Sequence, residues 1–485
     1  FFFQAEDGIR DIDEKSGVIT DVSDKIWDYA ELSLREYKSG ELYAKVLKEE
    51  GFTVEHPFDN IETAFRASYG SGKPVIGILA EYDALTGLSQ IAGSETRKEL
   101  VADGNGHGCG HNLLGAGSMA AAFAIKKYLE EKGEGSGKVI LYGCPGEEGA
   151  ATKAFMARDG VFAECDAALT WHPGNVNQVT SGTCNTCIQT EYKFTGVASH
   201  AAGAPDKGRS ALDAVELMNI GVQFLREHMP DSARIHYSIT DAGGDSPNVV
   251  QPYAEVLYLI RAPKNSQVEE IYRRVNKIAE GAAHMTETRV EIDFVKGCSN
   301  LMSNKVIAKE LWDNLVELGA PEYTEDELKF AKAISEGVGD SRFESLEKVA
   351  KNCKDKKVKA EVLSHKGEDI YRFVAPFNPD GIMSFGSTDV GDVSWNCPTA
   401  QAYVTTWAAG TPGHSWQMVS QGKSSIAHKG MQFAGKVMAG TVIDMLEKPE
   451  LIEEAKKELR RRVGTEGYIP PIPEGIRPMA INPKK

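Results

Sequence analysis

Three short apolar runs, PVIGILA at 74–80, KVILYGCP at 138–145 and DAALTWHP at 166–173, limit the folds open to this chain. Each has the length of a strand and is apolar at consecutive positions, not alternate ones. A strand of that kind is covered on both faces. An Ala- and Leu-rich stretch at 115–131 with helical character separates the first two runs. Strand and helix alternate, so the pattern predicts an α/β layered core. A helical region at 23–50 precedes it, with Ile26, Ala30, Leu34 and Tyr37 recurring at helical spacing and Gly51 as the stop.

The pattern changes at 183. IQTEYKFTGV reads as an alternating strand, 210–229 as a helix, RIHYSITDAGG and VVQPYAEVLYLIRAP as consecutive strands, 266–285 as a helix and TRVEIDFVKG as a closing strand. That order is β-α-β-β-α-β, a compact unit of its own. A chain of 485 residues is too long for one simple core. The expected organisation is a core domain at 12–182 and 300–467 with a second domain, 183–299, inserted in it. Helices are expected at 305–318 and 325–337, then a charged stretch at 343–369. The Pro-rich tail, 468–485, is expected to run extended over the surface. Residues 1–11, FFFQAEDGIRD, resemble the translation of a sequencing adapter and are set outside the fold, with the true N-terminus expected to be missing.

With 54 basic and 70 acidic residues the formal charge is −16, which argues against nucleic acid or an anionic membrane as partner. No apolar run reaches the roughly 18 residues of a membrane span. The start lacks the basic flank and apolar stretch of a secretory signal. Eight cysteines are too few for a disulfide scaffold, so a cytoplasmic location is expected. Cys184 and Cys187 form a CxxC without a second pair at zinc-ribbon spacing, and are read as ordinary thiols.

The chemistry gathers after the apolar runs. In Asn105-Gly-His-Gly-Cys-Gly-His-Asn112, Cys109 and His111 offer a thiolate and an imidazole from a loop that glycine lets bend sharply. His107 is read as a hydrogen-bonding neighbour. Glu147-Glu148 follows the second run: one carboxylate can hold a metal while its neighbour takes a proton from water. His172 ends the third run, and His414 stands in GTPGHSW. Active sites of open α/β sheets collect at such strand ends.

These residues, with GKPVIGILAEYDALTGLSQ, NGHGCGHNLLG, YGCPGEEG, GRSALDAV, SPNVVQ, AEVLYLIRAP, STDVGDVSW and VSQGKSSIAHKGM, resemble the M20 metallopeptidases from about residue 20 to 470. The likeness is to their amidohydrolase branch, typified by hippurate and indole-acetyl-amino-acid hydrolases. It implies a zinc-peptidase-like catalytic domain and a ferredoxin-like lid and dimerisation domain. It implies two divalent ions, manganese or zinc, held by Cys109, His111, Glu148, His172 and His414, with Glu147 as general base. Asp83 matches an orienting Asp, and Glu81 stands where better-known members carry a His. His200 matches a residue that reaches into a partner's active site, and Asn248 with Arg261 matches the carboxylate-binding pair. The implied reaction is hydrolysis of an N-acyl amino acid amide. The subgroup points to p-aminobenzoyl-glutamate, cleaved to p-aminobenzoate and glutamate. The implied assembly is a homodimer or a heterodimer with a related A-type subunit. A dipeptidase and a non-catalytic partner subunit are the alternatives. Trp395 and Trp407 are read as core residues before pocket-lining ones.

Overall fold

The computed structural model describes residues 10–465 and 467–480. Most of the 1–11 stretch, and the last residues of the tail, lie outside that range. Seven strands build the central sheet: β1 (Thr53–Glu55), β2 (Phe65–Gly72), β3 (Val75–Ala80), β4 (Ser136–Gly143), β5 (Ala167–Gly174), β6 (Gln178–Thr180) and β15 (Thr399–Thr405). Their order is β1-β2-β4-β3-β5-β15-β6. The inner four, β4, β3, β5 and β15, are mutually parallel. β2 and β6 flank them antiparallel, and β1 pairs antiparallel with β2. Every residue of β3 is buried, as its unbroken apolar run requires. Helices His111–Lys132 and Ser425–Glu447 pack against each other in the main core, where Gly435 lets the backbones approach.

A four-stranded antiparallel sheet lies between β5 and β15 in the chain. It contains β8 (Thr186–Thr195), β10 (Arg234–Asp241), β12 (Tyr253–Ala262) and β13 (Arg289–Cys298) in the order β10-β12-β8-β13. Helices Ala211–Arg226 and Asn265–Thr286 cover one face through Tyr192, Phe194, Val256, Tyr258 and Ile260. Two short ladders accompany it: β9 (Ser199–His200) with β11 (Val249–Val250), and β7 (Thr183–Cys184) with β14 (Met383–Ser384).

One local expectation needs correction, and two gain detail. The region read as one helical stretch at 23–50 is two helices, Ser16–Tyr29 and Tyr37–Glu49. Ala30 and Leu34 take left-handed backbone angles between them, and the break turns Ser33 and Glu36 toward the strand-end loops. The charged stretch at 343–369 holds two short helices, Glu344–Asn352 and Lys356–Ser364, the second started by the Asp355 side chain. Leu346, Ala350 and Val362 pack on Tyr371 and Val176, so that stretch is amphipathic, not simply solvated. The tail is extended but anchored: Ile472 is buried in the core of the four-stranded unit, worth about 1.5–3 kcal/mol. No helix among the described residues is long and apolar enough to cross a membrane.

Candidate metal centre and active site

The parallel strands β3, β4 and β5 deliver their C-terminal loops to one side of the sheet. The helix read as starting at 115 starts at His111, so the Gly-rich loop runs straight into its first turn. A side chain at Gly108 would strike Leu88 and one at Gly110 would strike Trp407, so these glycines permit the close fold of the loop. His414 arrives from the far end of the chain with a left-handed backbone (φ 51°), its N–H donating to the Gly108 carbonyl. Strain at a non-glycine residue is tolerated where surrounding contacts fix it.

The five candidate ligands converge. Cys109, His111 and His172 form one group of donor atoms within 4.8 Å of one another, and Cys109, Glu148 and His414 form a second. Cys109 Sγ belongs to both, 3.4 Å from His172 Nε2. A third group, Glu81, His111 and Glu147, adjoins the first through His111. Burial pushes the Cys109 thiol up, but His172 and His111 outweigh it and bring it down to about 6, favouring the thiolate. His414, beside Cys109 and Glu148, is raised to about 10. Burial, then Glu81 and Glu148, push Glu147 well above the carboxylate range.

Two atoms speak for a cation here. His111 Nε2 and Glu148 Oε1 are buried with no hydrogen bond, although Glu81 Oε2 and His414 Nε2 stand 3.3 Å away respectively. Unpaired buried donors and acceptors are costly, and a divalent ion between them removes the cost. Thiolate, imidazole and carboxylate together suit a transition metal. The supports are in place: Asp83 accepts from His111 Nδ1 at 2.9 Å, from Ser33 Oγ at 2.7 Å and from the Glu148 N–H at 3.0 Å. Burial raises the Asp83 carboxyl, but the hydrogen bond with His111 and the other contacts hold it at about 2.

Two residues, Lys153 and Asp389, were missed by sequence reasoning. Lys153 is fully buried, with Nζ 2.8 Å from Glu81 Oε1 and 2.6 Å from Asp389 Oδ1. The signal was available: Lys153 interrupts an otherwise apolar run, ATKAFMA, whose residues are all buried. His107 lies apart from the ligand groups, its Nε2 3.0 Å from the Ile26 carbonyl oxygen. Trp407 is buried in the core, and Trp395 donates to the Asn300 carbonyl.

The remaining predicted residues fall into two places. His200 pairs with Val249, and the Asn248 carbonyl accepts from the Ala201 N–H, so His200 and Asn248 are neighbours. The exposed His200 ring accepts the N–H groups of Ala202 and Gly203 at Nδ1, which leaves Nε2 as its donor. Arg261 is not with them. It sits near the C-terminal end of β12, eight residues after Tyr253, a distance along the strand of roughly 26 Å. That end of the unit meets the candidate ligand cluster, because Lys296 Nζ donates to the Glu148 carbonyl at 2.6 Å.

Residues 77–393 match the peptidase family M20/M25/M40. The chain is similar to the B-type subunit of p-aminobenzoyl-glutamate hydrolase from Escherichia coli (strain K12), 48% identical over 95% of this chain and 96% of that protein. It is also similar to the Xaa-Arg dipeptidase of Mus musculus, 26% identical over 94% of this chain and 92% of that one. Among solved structures, an aminobenzoyl-glutamate utilization protein from Klebsiella pneumoniae shares the fold. Its TM-score is 0.57 at 16% identity, covering 90% of this chain and 98% of that chain.

Proposed function

The chain belongs to peptidase family M20/M25/M40 and is a hydrolase of amide bonds, and from that premise we propose that it cleaves p-aminobenzoyl-glutamate to p-aminobenzoate and glutamate. The single observation that carries the reaction class is Cys109 Sγ, shared by two ligand groups beside Glu147. Similarity to one of the subunits of p-aminobenzoyl-glutamate hydrolase supports the substrate.

Cys109, His111 and His172 would hold one divalent ion, and Cys109, Glu148 and His414 the other. Zinc suits the thiolate, and manganese is the alternative expected from the family resemblance. When bound, the pair supplies Lewis acidity toward the scissile carbonyl and acidifies water. Glu147 takes the proton of the attacking water and returns it to the leaving amine. A raised affinity for protons suits that double task. Asp83 keeps the His111 ring oriented, and Lys153 balances Glu81 and Asp389 behind it.

Residues 12–182 and 300–467 form the catalytic domain in this reading, and 183–299 an inserted ferredoxin-like lid that also dimerises. The strand order β10-β12-β8-β13 with both helices on one face supports it. Arg261 at the near end of the lid takes the substrate α-carboxylate through its planar fork. His200 and Asn248 lie at the far end, so His200 Nε2 serves the oxyanion in a partner's site, whether a second copy or a related A-type subunit. The eight unpaired thiols suit a reducing compartment such as the cytoplasm.

The test is hydrolysis by the purified chain alone, after metal removal and after return of zinc or manganese. Release of p-aminobenzoate only with metal is expected. Preferential cleavage of ordinary dipeptides, or inactivity both alone and with an A-type partner added, would sink the reading.

A further inference from the structure

Many cations in this acidic chain are matched with carboxylates, and two beside the proposed active site are not. In the four-stranded sheet Arg261 and Cys298 both lie opposite Cys187, and Leu259 and Lys296 both lie opposite Gln189. Residues opposite one another on adjacent strands share a face. Arg261 and Lys296 therefore project from the face turned away from the two helices, separated by β8, with backbones roughly 10 Å apart. Farther along that face the pattern is ordinary: Lys193 Nζ lies 2.6 Å from Asp293 and 3.3 Å from Glu191.

At the end against the metal cluster no such partners exist among the described residues. There Lys296 bonds only to the Glu148 carbonyl, an uncharged acceptor, and makes no ion pair. Arg261 likewise makes no ion pair among them, and its Nε is buried without a hydrogen bond. Ser387 Oγ, also buried, lies beside Cys187. A guanidinium and an ammonium, partly buried and without a carboxylate partner, in a chain of net charge −16, make a site short of carboxylates. An N-acyl-glutamate carries two carboxylates and only one is accounted for by Arg261.

We infer that Lys296, with Ser387 beside it, binds the side-chain carboxylate of the substrate's amino acid, and so makes the enzyme selective for N-acyl derivatives of dicarboxylic amino acids. This rests on the reading of the chain as an N-acyl amino acid hydrolase. It adds a specificity residue on the lid, and because Lys296 touches the Glu148 backbone it places that second carboxylate next to the metal cluster.

The experiment compares wild type, Lys296→Met and Lys296→Arg on p-aminobenzoyl-glutamate, its glutamine analogue and p-aminobenzoyl-glycine. Free glutamate and free glutamine are titrated into each metal-loaded protein by calorimetry. Wild type should prefer the glutamate substrate over the glutamine one by roughly 10- to 100-fold in kcat/KM, the range of a charge-assisted hydrogen bond. Lys296→Met should collapse that ratio toward one, chiefly through KM, while turnover of the glycine substrate falls far less. Lys296→Arg, which keeps the charge, should retain most of the preference. The calorimetric preference for glutamate over glutamine should vanish in Lys296→Met alone. A parallel loss on all three substrates, or an unchanged ratio, overturns the inference. If wild type hydrolyses none of the substrates, the proposed reaction fails, and the glutamate titration still decides whether Lys296 reads a second carboxylate.

Discussion

The candidate ligand cluster and the open face of the four-stranded sheet handle charge in opposite ways. Behind the cluster the carboxylates are enclosed and compensated from within the chain: Glu81 lies between Lys153 and His111, and Asp83 holds His111 from the other side. What that region lacks is positive charge at its centre, where His111 Nε2 and Glu148 Oε1 are buried without hydrogen bonds. The near end of the open face of the four-stranded sheet has the reverse deficit, two cations with no carboxylate partner among the described residues. A metal would satisfy the first and a dicarboxylic substrate the second. The contrast therefore separates what the enzyme carries permanently from what it receives at each turnover.

The widest gap between the two regions should open on removing Cys109. Cys109→Ala takes away the atom common to both ligand groups, and bound metal should fall from two ions per chain toward none, with activity lost; retention of both ions by elemental analysis would break the picture. Glu147→Gln should behave differently, keeping its metal while kcat drops by roughly 10²- to 10⁴-fold. Lys153→Met comes next. It leaves Glu81 and Asp389 facing each other unbalanced, and should cost about 3–5 kcal/mol in urea unfolding. Substitutions at Arg261 or Lys296 should leave the urea midpoint nearly unchanged, since those charges have no charged partner to lose.

The far end of the four-stranded unit supplies a test that needs two copies. If the assembly is a homodimer, His200→Ala and Glu147→Gln chains, each nearly inactive, should recover about a quarter of wild-type activity when refolded together in equal amounts. Half of the dimers then hold one intact site of two. No recovery would mean that His200 serves its own chain or none.

The ligand cluster was legible because its residues follow strand-length apolar runs or sit among glycines, and those signals are local. The break at 30–36 was not, because helical spacing continues through it; only the tertiary contacts of Ser33 and Glu36 reveal why the backbone turns. Asn248 and Arg261, 13 residues apart, match one motif of the resemblance, yet β12 separates them: Arg261 stands near one end of the four-stranded sheet and Asn248 beside the β9–β11 ladder past the other. Spacing reports a motif and not a distance. Lys296 was invisible for a further reason. A Lys near the end of a strand is ordinary in sequence, and what distinguishes it is the lack of a carboxylate opposite, which only the folded register exposes.

The seam between the two regions gives the smallest effect. Asp392 accepts from the Ser299 N–H at 2.9 Å, from Ser299 Oγ at 2.7 Å and from Tyr468 Oη at 2.7 Å. It thus ties the end of the four-stranded unit and the start of the tail to the helix before β15. Burial raises its carboxyl from 3.8 to about 7, in spite of those hydrogen bonds. The folded state therefore holds this proton more tightly than the unfolded chain does, and folding takes a proton up between those two values. The stabilisation tied to that proton is complete below about pH 3.8 and declines as pH rises toward 7. Stability measured by urea midpoint from pH 5 to 8 should fall less steeply in Asp392→Asn than in wild type, because the amide cannot ionise. Parallel slopes in the two proteins would mean that Asp392 is ionised throughout, and that the seam is held by a charge, not by a proton.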